Sequence, residues 1–265
     1  PDPLWSRGLG DVYKRQQYNN TTKDLFELKI DVFALAEKLM TRHEPYLTGG
    51  NGVMPERVRV ESLALRPQAG MTNVKSFPKD SRASHGFDNQ VDVLTMSPLL
   101  LDAFLRLAVS IVESPDFTAE KVGVWDELFS EKSENTTLEE EIRKRLAVFL
   151  YRAFRRPIED DTLTRYTNYA LSHTSRGLDL TESMKKAVSA VLSSPRFFYR
   201  SRSATSGELS FEIASSLSYT LWGSCPDGEL LKVAANGELS DPQVLRSTIR
   251  RMLKDPKVEL FMDSF

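Results

Sequence analysis

Residues 146–200, LAVFLYRAFRRPIEDDTLTRYTNYALSHTSRGLDLTESMKKAVSAVLSSPRFFYR, decide the fold of this 265-residue chain. Apolar residues recur at helical spacing on both sides of an Arg-Arg-Pro break, which is typical of amphipathic helices. Pro157 disfavours helical geometry at Arg156, so the first helix is expected to end there. Asp179 and Glu182 have the spacing of a capping box and predict another helix start. The stretch predicts a helical architecture, but it does not indicate which reaction, if any, the protein catalyses.

Helical signals continue in both directions from this stretch. Thr137 and Glu140 form a second capping-box pair, and Ser97-Pro98 and Asp241-Pro242 each place a capping side chain before a proline that suits the first helical position. Asn236-Gly237 is suited to a helix end. Short helices with brief connections favour antiparallel packing. We therefore predict a mainly α fold of two to three small antiparallel helical bundles in tandem.

The N-terminal part is less regular. Residues 18–28 predict a helix opened by capping Asn and Thr side chains, and residues 31–42 predict a second short helix with an apolar stripe. Alternating apolar and polar residues at 57–66 predict a strand that pairs with residues 71–77, giving a short β-hairpin near residues 57–77. Thr118 is expected to open another helix, which contains Val122, Trp125 and Phe129.

Three domains are expected along the chain. An N-terminal helical domain covers residues 17–130 with an irregular or β insertion at 45–84, a central helical domain covers 137–202, and a C-terminal helical domain covers 208–265. Residues 1–16 lack apolar periodicity and look like a translated sequencing adaptor, so we set them aside from the fold. The last residues stop inside a helical pattern, which indicates a truncated C-terminal domain.

Composition excludes several classes of function. Lys plus Arg number 35 and Asp plus Glu 37, a net charge of −2 that creates no global field for nucleic acid or an anionic membrane. No apolar run approaches the roughly 18 residues of a membrane-spanning helix, so no membrane span is expected. Cys225 is the single cysteine, and the histidines His43, His85 and His173 lie far apart. These spacings exclude thiolate clusters and C-x-x-C-H haem attachment and argue against zinc, so no cofactor is expected in this chain.

Cations near the Arg-Arg-Pro break are the first candidates for a ligand site. The basic cluster comprises Arg143, Lys144, Arg145, Arg152, Arg155 and Arg156, and it could bind phosphate or an acidic glycan. The favoured interpretation is structural, because cations near a helix C-terminus complement the helix dipole and Arg stems cover bundle seams. Arg196 and Arg200 flank Phe197, Phe198 and Tyr199, a pattern found in stacking platforms for single-stranded nucleic acid. At helical spacing, however, such aromatics are more typical of an inter-domain core.

Acidic residues give two further candidates. Asp88, Asn89 and Asp92 place oxygen ligands close together, as in a calcium site, although Asp and Asn before a helix usually serve as caps. Asp227 stands where a helix restarts after Cys225-Pro226. The candidate ligand or interface residues are therefore Asp88, Asn89, Arg152, Arg155, Arg156, Arg196, Arg200 and Asp227.

Three blocks of the sequence resemble a known family. The first block comprises Tyr18–Thr21, Gly86–Asn89 and Ser97–Leu101, the second Phe149–Pro157, Tyr166 and Val191–Arg200, and the third Ala214–Trp222, Pro226-Asp227 and Leu245–Asp255. In content and order they are similar to large secreted multidomain proteins of planctomycetes and related bacteria, in which several domains of unknown function surround a c-type cytochrome module.

This resemblance implies a secreted or periplasmic location, with c-type haem carried by other domains of a longer protein. The partners it implies are those other domains and an extracellular protein or glycan, and no nucleic acid is expected. Residues 45–84 are longer than the connection typical of the family's N-terminal domain. No catalytic residues are established for these domains, so none is carried over.

Two functions from different classes remain open. The first is a non-catalytic helical scaffold or interaction region of a larger secreted, haem-associated bacterial protein. The alternative is an extracytoplasmic hydrolase that acts on polysaccharide, with carboxylates lining an inter-domain cleft. Raised carboxylate pKa values in a pocket would favour the hydrolase, and a flat polar surface would favour the scaffold. Nucleic-acid binding through the basic face of residues 143–156 is a third hypothesis.

Overall fold

Ten α-helices dominate the part of the chain that the structure describes. In this computed structural model the described residues are 11–12, 15–33, 70–77, 98–200 and 208–259. The helices are α1 (Arg15–Phe26), α2 (Pro98–Val112), α3 (Trp125–Leu128), α4 (Leu138–Phe154), α5 (Asp160–Thr174), α6 (Leu180–Leu192), α7 (Pro195–Phe198), α8 (Leu209–Leu221), α9 (Gly228–Ala235) and α10 (Pro242–Met252). A 3-10 helix covers Glu238–Ser240, and β1 (Asp11–Val12) pairs antiparallel with β2 (Tyr199–Arg200). The prediction of a mainly α fold is confirmed.

Side-chain caps fix where two of the central helices, α4 and α6, begin. At the start of α4 the Thr137 hydroxyl accepts a hydrogen bond from the Glu140 backbone N–H at 3.2 Å, and the Glu140 carboxylate accepts one from the Thr137 N–H at 2.9 Å. The predicted capping box is confirmed. At the start of α6, the Asp179 carboxylate accepts a hydrogen bond from the Glu182 N–H at 2.7 Å. These contacts satisfy helix N–H groups that otherwise have no partner.

The break between α4 and α5 follows from the Arg-Arg-Pro sequence. The last residue of α4 is Phe154, and Arg155 adopts a left-handed conformation with φ of 60°. Pro157 then restricts Arg156, so the chain cannot continue as a helix. The helix therefore ends at the break, as predicted, and α5 starts again at Asp160.

Helices α4, α5 and α6 form a central bundle, with α2 packed along α6. Their connections are only a few residues long, as expected for antiparallel neighbours. The apolar faces of these helices meet in a large main core. Its fully buried members on the bundle include Leu146, Leu150, Ala170, Met184, Val188 and Leu192.

Aromatic rings from α1 and α7 close the main core. Phe198 stacks on Phe104 of α2 with ring centroids 4.2 Å apart, and Tyr18 of α1 meets Phe197 edge-on at 5.7 Å. Phe197 and Phe198 are fully buried. The prediction that these aromatics belong to a core is confirmed, because buried rings are not available as a stacking surface.

A second, smaller core surrounds Trp222 and is built by the C-terminal helices. We call it the Trp222 core; its buried members are Phe211, Ala214, Trp222, Leu230, Leu231, Ala234, Leu239 and Met252. Tyr151 of α4 packs against this core from outside. Helix α4 therefore contributes to both cores and links the central bundle to α8, α9 and α10.

The polar residues of α1 contradict one prediction. Asn and Thr side chains after Tyr18 are expected from the sequence to cap a helix start, but α1 begins at Arg15 and Asn19–Thr22 lie buried in its middle. Asp11–Val12 and Arg15 also belong to the stretch that we set aside, yet they form β1 and the start of α1. The Arg15 Nε donates a hydrogen bond to the Phe77 carbonyl at 2.8 Å. The assigned domain boundaries stay predictions.

The predicted β-hairpin does not form as expected on its described side. Residues 71–77 are not a strand; the Met71 N–H instead donates to the carbonyls of Asp31 and Val32 at 3.0 and 3.2 Å. Residues 57–66 lie outside the described residues, as do residues 34–42 of the predicted second helix. The helix expected after Thr118 is shorter than predicted and covers only α3. Within the described ranges, no helix is both long enough and apolar enough to cross a membrane.

Candidate functional site

The basic cluster that the sequence singles out does not form one anion-binding surface. Arg152 donates from Nη2 to the Asp24 carbonyl at 3.0 Å, while Arg156 pairs with Glu208 at 3.1 Å. Arg143 forms an ion pair with Asp160 at the start of α5. Each guanidinium therefore contacts a different neighbouring element. This arrangement matches the interpretation of these arginines as seam and helix-end contacts.

Arg155 is the most deeply buried arginine of this cluster, at 4% exposure. Its Nη1 donates to the carbonyls of Ala153 at 3.1 Å and Phe197 at 2.9 Å, and its Nη2 donates to the Arg196 carbonyl at 3.2 Å. Its guanidinium carbon also lies 5.8 Å from the ring centre of Tyr219 on α8. One side chain thus ties the end of α4 to α7 and to α8. A planar fork of five donors is suited to such a set of carbonyls, and a lysine is not.

Arg145, in the middle of α4, makes similar contacts with the connection that precedes the helix. It donates to the Glu141 carboxylate at 2.8 Å and to the carbonyls of Ser130 and Glu131 at 2.7 and 2.9 Å. The Arg145 guanidinium lowers the pKa of Glu141 from its ordinary value, although burial opposes that shift. The two side chains therefore satisfy each other's charges, and the Arg145 guanidinium fixes the connection that precedes α4.

The remaining sequence candidates are dispersed. Arg196 is half exposed and contacts Thr162 at 3.2 Å and Glu159 at 3.5 Å. Asp227 caps α9 by accepting from the Leu230 N–H at 2.7 Å. Its two carboxylate oxygens also accept from Arg251 at 2.7 and 3.2 Å. Asp88, Asn89 and the side chain of Arg200 lie outside the described residues.

The structure instead brings together a polar group that the sequence does not reveal, which we call the Asp24 junction. It consists of Asp24 on α1, Arg152 on α4, Ser224 and Cys225 after α8, and Lys257 after α10. The Asp24 Oδ2 accepts hydrogen bonds from the Ser224 hydroxyl at 2.6 Å and from the Lys257 ammonium at 2.8 Å. With the bond from Arg152 to the Asp24 carbonyl, α1 is held to both the central bundle and the C-terminal helices.

The polar stretch of α1 extends this junction by one turn. The Thr21 hydroxyl and the Tyr219 hydroxyl are 2.9 Å apart, and the Asn20 amide donates to the Gly223 carbonyl at 3.5 Å. Gly223 has a φ of 59°, a left-handed conformation that favours glycine and turns the chain toward α1. Asn20 and Thr21 therefore serve as docking contacts for α8 and its following turn. Asn19 instead contacts the chain after α1, where its side chain donates to the Asp31 carboxylate at 3.2 Å and accepts from the Val32 N–H at 2.8 Å.

Ser224 and Cys225 do not have the surroundings of activated nucleophiles. Burial, aided by the negative charge of Asp24, raises the pKa of the Cys225 thiol to about 11, so the thiol is neutral at pH 7. Ser224 is fully buried, and its hydroxyl donates to a carboxylate instead of to an imidazole base. These groups form a hydrogen-bonded contact, and their geometry does not set up a nucleophilic attack.

Lys257 completes the charge balance of the junction. Burial alone would lower the pKa of Lys257, but the Asp24 carboxylate outweighs this effect and the net pKa is raised. The ammonium lies 5.4 Å from the ring centre of Trp222, whose indole N–H donates to the Met252 carbonyl at 3.1 Å. Lys257 therefore remains a cation that joins Asp24 to the edge of the Trp222 core.

Among the described residues, the carboxylates with clearly shifted pKa values are all shifted downward. The Lys121 ammonium and the Thr72 backbone N–H lower the pKa of Asp116 to about 2, and the Thr137 backbone N–H lowers that of Glu140. Glu141 is lowered by Arg145, as described above. A general acid at neutral pH needs the opposite shift. Among the described residues, no three His, Cys, Asp or Glu side chains come together as a metal site.

The signal for the Asp24 junction in the sequence is weak. A run of four polar residues in a helix that must pack on its neighbours hints at buried polar contacts. The partners, however, lie about two hundred positions away in the chain, and spacing alone cannot pair them. Sequence reasoning found Arg152 and missed the rest of the junction.

Comparison with known protein families gives three matches. Residues 65–114 match the model of a protein of unknown function (DUF1587), residues 141–201 match that of DUF1595, and residues 209–265 match that of DUF1592. No curated protein and no solved structure matches the chain. The Arg155 contact with the Tyr219 ring thus joins the second matched segment to the third. In chain order, three segments therefore match domain families whose function is unknown.

Proposed function

We propose that this chain is a non-catalytic helical framework of a larger protein, which holds other domains or a partner in a fixed arrangement. The observation that carries the proposal is the use of its buried and half-buried polar groups. Arg155, Asp24, Ser224 and Lys257 all join helices of different segments to one another. Side chains of a catalytic centre need to face a substrate, and these face their own protein.

The pKa shifts of the carboxylates support the same proposal over a polysaccharide hydrolase. A hydrolase of this kind requires one carboxylic acid whose pKa is raised by burial or by a like charge. The three carboxylates with clear shifts are instead held ionised by cations, backbone N–H groups and hydroxyls. Such carboxylates stabilise structure and are poor proton donors at neutral pH.

The setting of the framework is proposed from the sequence resemblance. Proteins with this order of domains are expected to be secreted or periplasmic and to carry c-type haem in other domains. The partners proposed for the framework are those domains and an extracellular protein or glycan. The chain alone should show no Soret absorption after purification, whereas a longer protein that includes C-x-x-C-H segments should show it.

Hydrogen exchange on the full chain tests the framework directly. The Asp24→Asn substitution removes the charge at the junction, and a rigid framework predicts faster amide exchange in both α1 and α8–α10. Asp126→Asn is the matched control, because the Asp126 side chain is exposed and outside the junction. Unchanged exchange in α8–α10 of the Asp24 variant would mean that the junction does not hold the segments together, and the proposal would fail.

An activity assay tests the hydrolase alternative in parallel. The full chain is incubated with neutral and acidic polysaccharides, and new reducing ends are measured over time. We expect none above the level of the heat-denatured chain. Release of reducing ends that follows the protein through a second purification would replace the framework with an enzyme.

A further inference from the structure

The outer face of α10 carries cations that the fold does not use. Arg246 and Arg250 lie four residues apart on one side of α10, with a rise of about 6 Å between them. Lys254 follows four residues later, just beyond the end of the helix at Met252. All three side chains are exposed. Within the described ranges, none of the three forms a hydrogen bond or an ion pair. They form a basic stripe about 12 Å long on the surface.

The opposite side of the same helix shows what a structural cation looks like here. Arg251 is one residue from Arg250, and it pairs with Asp227 at 2.7 Å and with Glu229 at 3.1 Å. Met252 and Thr248 bury the inner face of α10 against the Trp222 core. The inner face therefore holds the helix in place, and the stripe has no part in that anchoring.

The helix itself gives only a partial reason for the stripe. Cations near a helix C-terminus complement the helix dipole, which accounts for Arg250 in the last turn and for Lys254 directly after the helix. Arg246 lies before the last turn, and like charges four residues apart destabilise a helix by about 0.2–0.5 kcal/mol per pair. Helix stability therefore does not explain the complete stripe.

An apolar side chain lies beside these cations. Leu253 is 53% exposed and sits between Arg250 and Lys254 at the end of α10. The Leu253 N–H donates to the Ile249 carbonyl at 2.9 Å, so helical geometry continues to this residue. Arginine is enriched in protein interfaces, and an exposed apolar side chain beside it supplies area that a partner can bury.

We propose that the outer face of α10, formed by Arg246, Arg250, Leu253 and Lys254, docks an acidic helical segment of a partner protein. The partner would present carboxylates at the same four-residue spacing, with an apolar side chain that covers Leu253. Pairing of each partner carboxylate with one cation of the stripe would fix how the partner helix is aligned along α10. The proposal concerns a surface that the framework leaves open, and it does not depend on how that framework is otherwise used.

The composition of this face favours a protein helix over other polyanions. Membrane binding by an amphipathic surface requires a broad apolar face, and Leu253 alone provides little apolar area for insertion. Single-stranded nucleic acid requires aromatic stacking positions, and the four residues of this face include none. Contact with a second apolar side chain removes the exposed leucine from water. A strongly hydrated acidic polysaccharide offers no comparable apolar surface, so the leucine favours a protein partner.

A peptide-binding experiment with the full chain tests the proposal. The probe is a labelled synthetic helical peptide with Glu at three successive four-residue positions around one Leu. We measure its binding by fluorescence anisotropy at low and at moderate salt. The wild-type chain should bind this peptide at least about tenfold more tightly than a peptide of the same composition whose Glu residues are scattered around the helix, because only the first can pair along the stripe.

Charge-reversal variants decide whether the stripe is responsible. The variant R246E/R250E/K254E should lose about tenfold or more in affinity, whereas K144E/R165E/R176E, which reverses three exposed cations elsewhere, should change it less than about twofold. Should the first variant fail to fold by circular dichroism, R246Q/K254Q takes its place with the same expected direction. Leu253→Ala should weaken binding about three- to tenfold with little change in the salt dependence.

Four results would overturn the proposal. The scattered-Glu peptide binds as tightly as the aligned one, or the control charge reversal weakens binding as much as the stripe variant. Phosphatidylglycerol vesicles, or the acidic polysaccharide polygalacturonate, bind the chain through the same residues and more tightly than the peptide does. Finally, sedimentation shows that the chain associates with itself through the stripe, which would make a second copy the occupant.

Discussion

The main core and the Trp222 core are closed by different kinds of contact. Stacked and edge-on aromatic rings close the main core, and the buried guanidinium of Arg155 is satisfied there by backbone carbonyls. The Trp222 core is closed at its edge by cations, with Lys257 and Arg251 both within 6 Å of the indole ring centre. The first kind of contact depends on apolar burial, and the second depends on charge.

This difference predicts different responses to the solvent. Burial of apolar area is insensitive to salt, whereas partly exposed ion pairs are screened by it. The side chains of Asp24 and Lys257 are 27% and 32% exposed, so their ion pair is open to such screening. We therefore expect α8–α10 to separate from the central bundle under milder conditions than those that unfold the bundle.

Truncation of one ring in each core tests this order, and it has the largest expected effect. Phe198→Ala and Trp222→Ala each remove a fully buried side chain and should cost about 3–5 kcal/mol. For Phe198→Ala we expect the whole fold to be lost on mild heating, and circular dichroism measures this loss. For Trp222→Ala we expect rapid hydrogen exchange in α8–α10 while the amides of α4–α6 stay protected.

A conservative variant separates the ring from its hydrogen bond. Trp222→Phe keeps most of the apolar area and an aromatic ring but removes the bond from the indole N–H to the Met252 carbonyl, which costs about 1 kcal/mol, so the total loss should be well below that of Trp222→Ala. If Trp222→Ala exposes α4–α6 as fully as α8–α10, the two cores unfold as one unit and the comparison fails.

Arg155→Lys tests the contact that joins the main core to α8. A lysine cannot reach the carbonyls of Ala153, Phe197 and Arg196 together, so buried acceptors lose their donors at a cost of about 1–3 kcal/mol. Urea denaturation measures the free energy of unfolding, and the loss should be the same at low and high salt. Arg156→Lys is the control, because its partly exposed pair with Glu208 should contribute less than about 1 kcal/mol.

Asp24→Asn tests the charge-dependent side of the comparison. The ion pair with Lys257 is lost, while the hydrogen bond from Ser224 retains an oxygen acceptor, so we expect a cost of about 1 kcal/mol or less. The difference from wild type should shrink as salt is added. If the loss of unfolding free energy is equally large at high salt, packing and not charge stabilises the junction.

The sequence predicted the helices well because their determinants are local. Thr137 and Glu140 act within one turn, and Pro157 constrains only its neighbour, so pattern and spacing suffice to find them. The burial of Phe197 and Phe198 followed from aromatic residues at helical spacing. These predictions needed no knowledge of which elements meet in space.

The Asp24 junction was out of reach for the opposite reason. Asp24 contacts Ser224 and Lys257 only because α1 packs in space against the C-terminal part of the chain. No local rule pairs residues so far apart in the sequence. The same distance misled the interpretation of Asn20 and Thr21, since side chains that often cap helices are equally able to dock on a neighbour. The arginines were identified as structural, but their carbonyl partners could not be named in advance.

The Cys225 thiol offers the smallest and most local test of the comparison. It is buried at the Asp24 junction with a pKa of about 11, so at pH 8 it should react with a maleimide about a hundredfold or more slowly than a free thiol. If the junction opens before the central bundle, Asp24→Asn should raise that rate about fivefold, in line with a loss of about 1 kcal/mol. Arg155→Lys at the main core should raise it less at equal loss of global stability.

The same thiol sets a dependence on alkaline pH. Its pKa is raised on folding from an ordinary value near 9, so the unfolded chain ionises first as the pH rises. The contribution to stability is complete below pH 9 and is lost as the pH approaches 11. Urea midpoints at pH 8 and pH 10.5 measure this loss, and Cys225→Ala isolates the part that belongs to the thiol. An alanine variant with the same alkaline loss as wild type would assign the effect to Lys257, whose ammonium is also held in its charged form by Asp24.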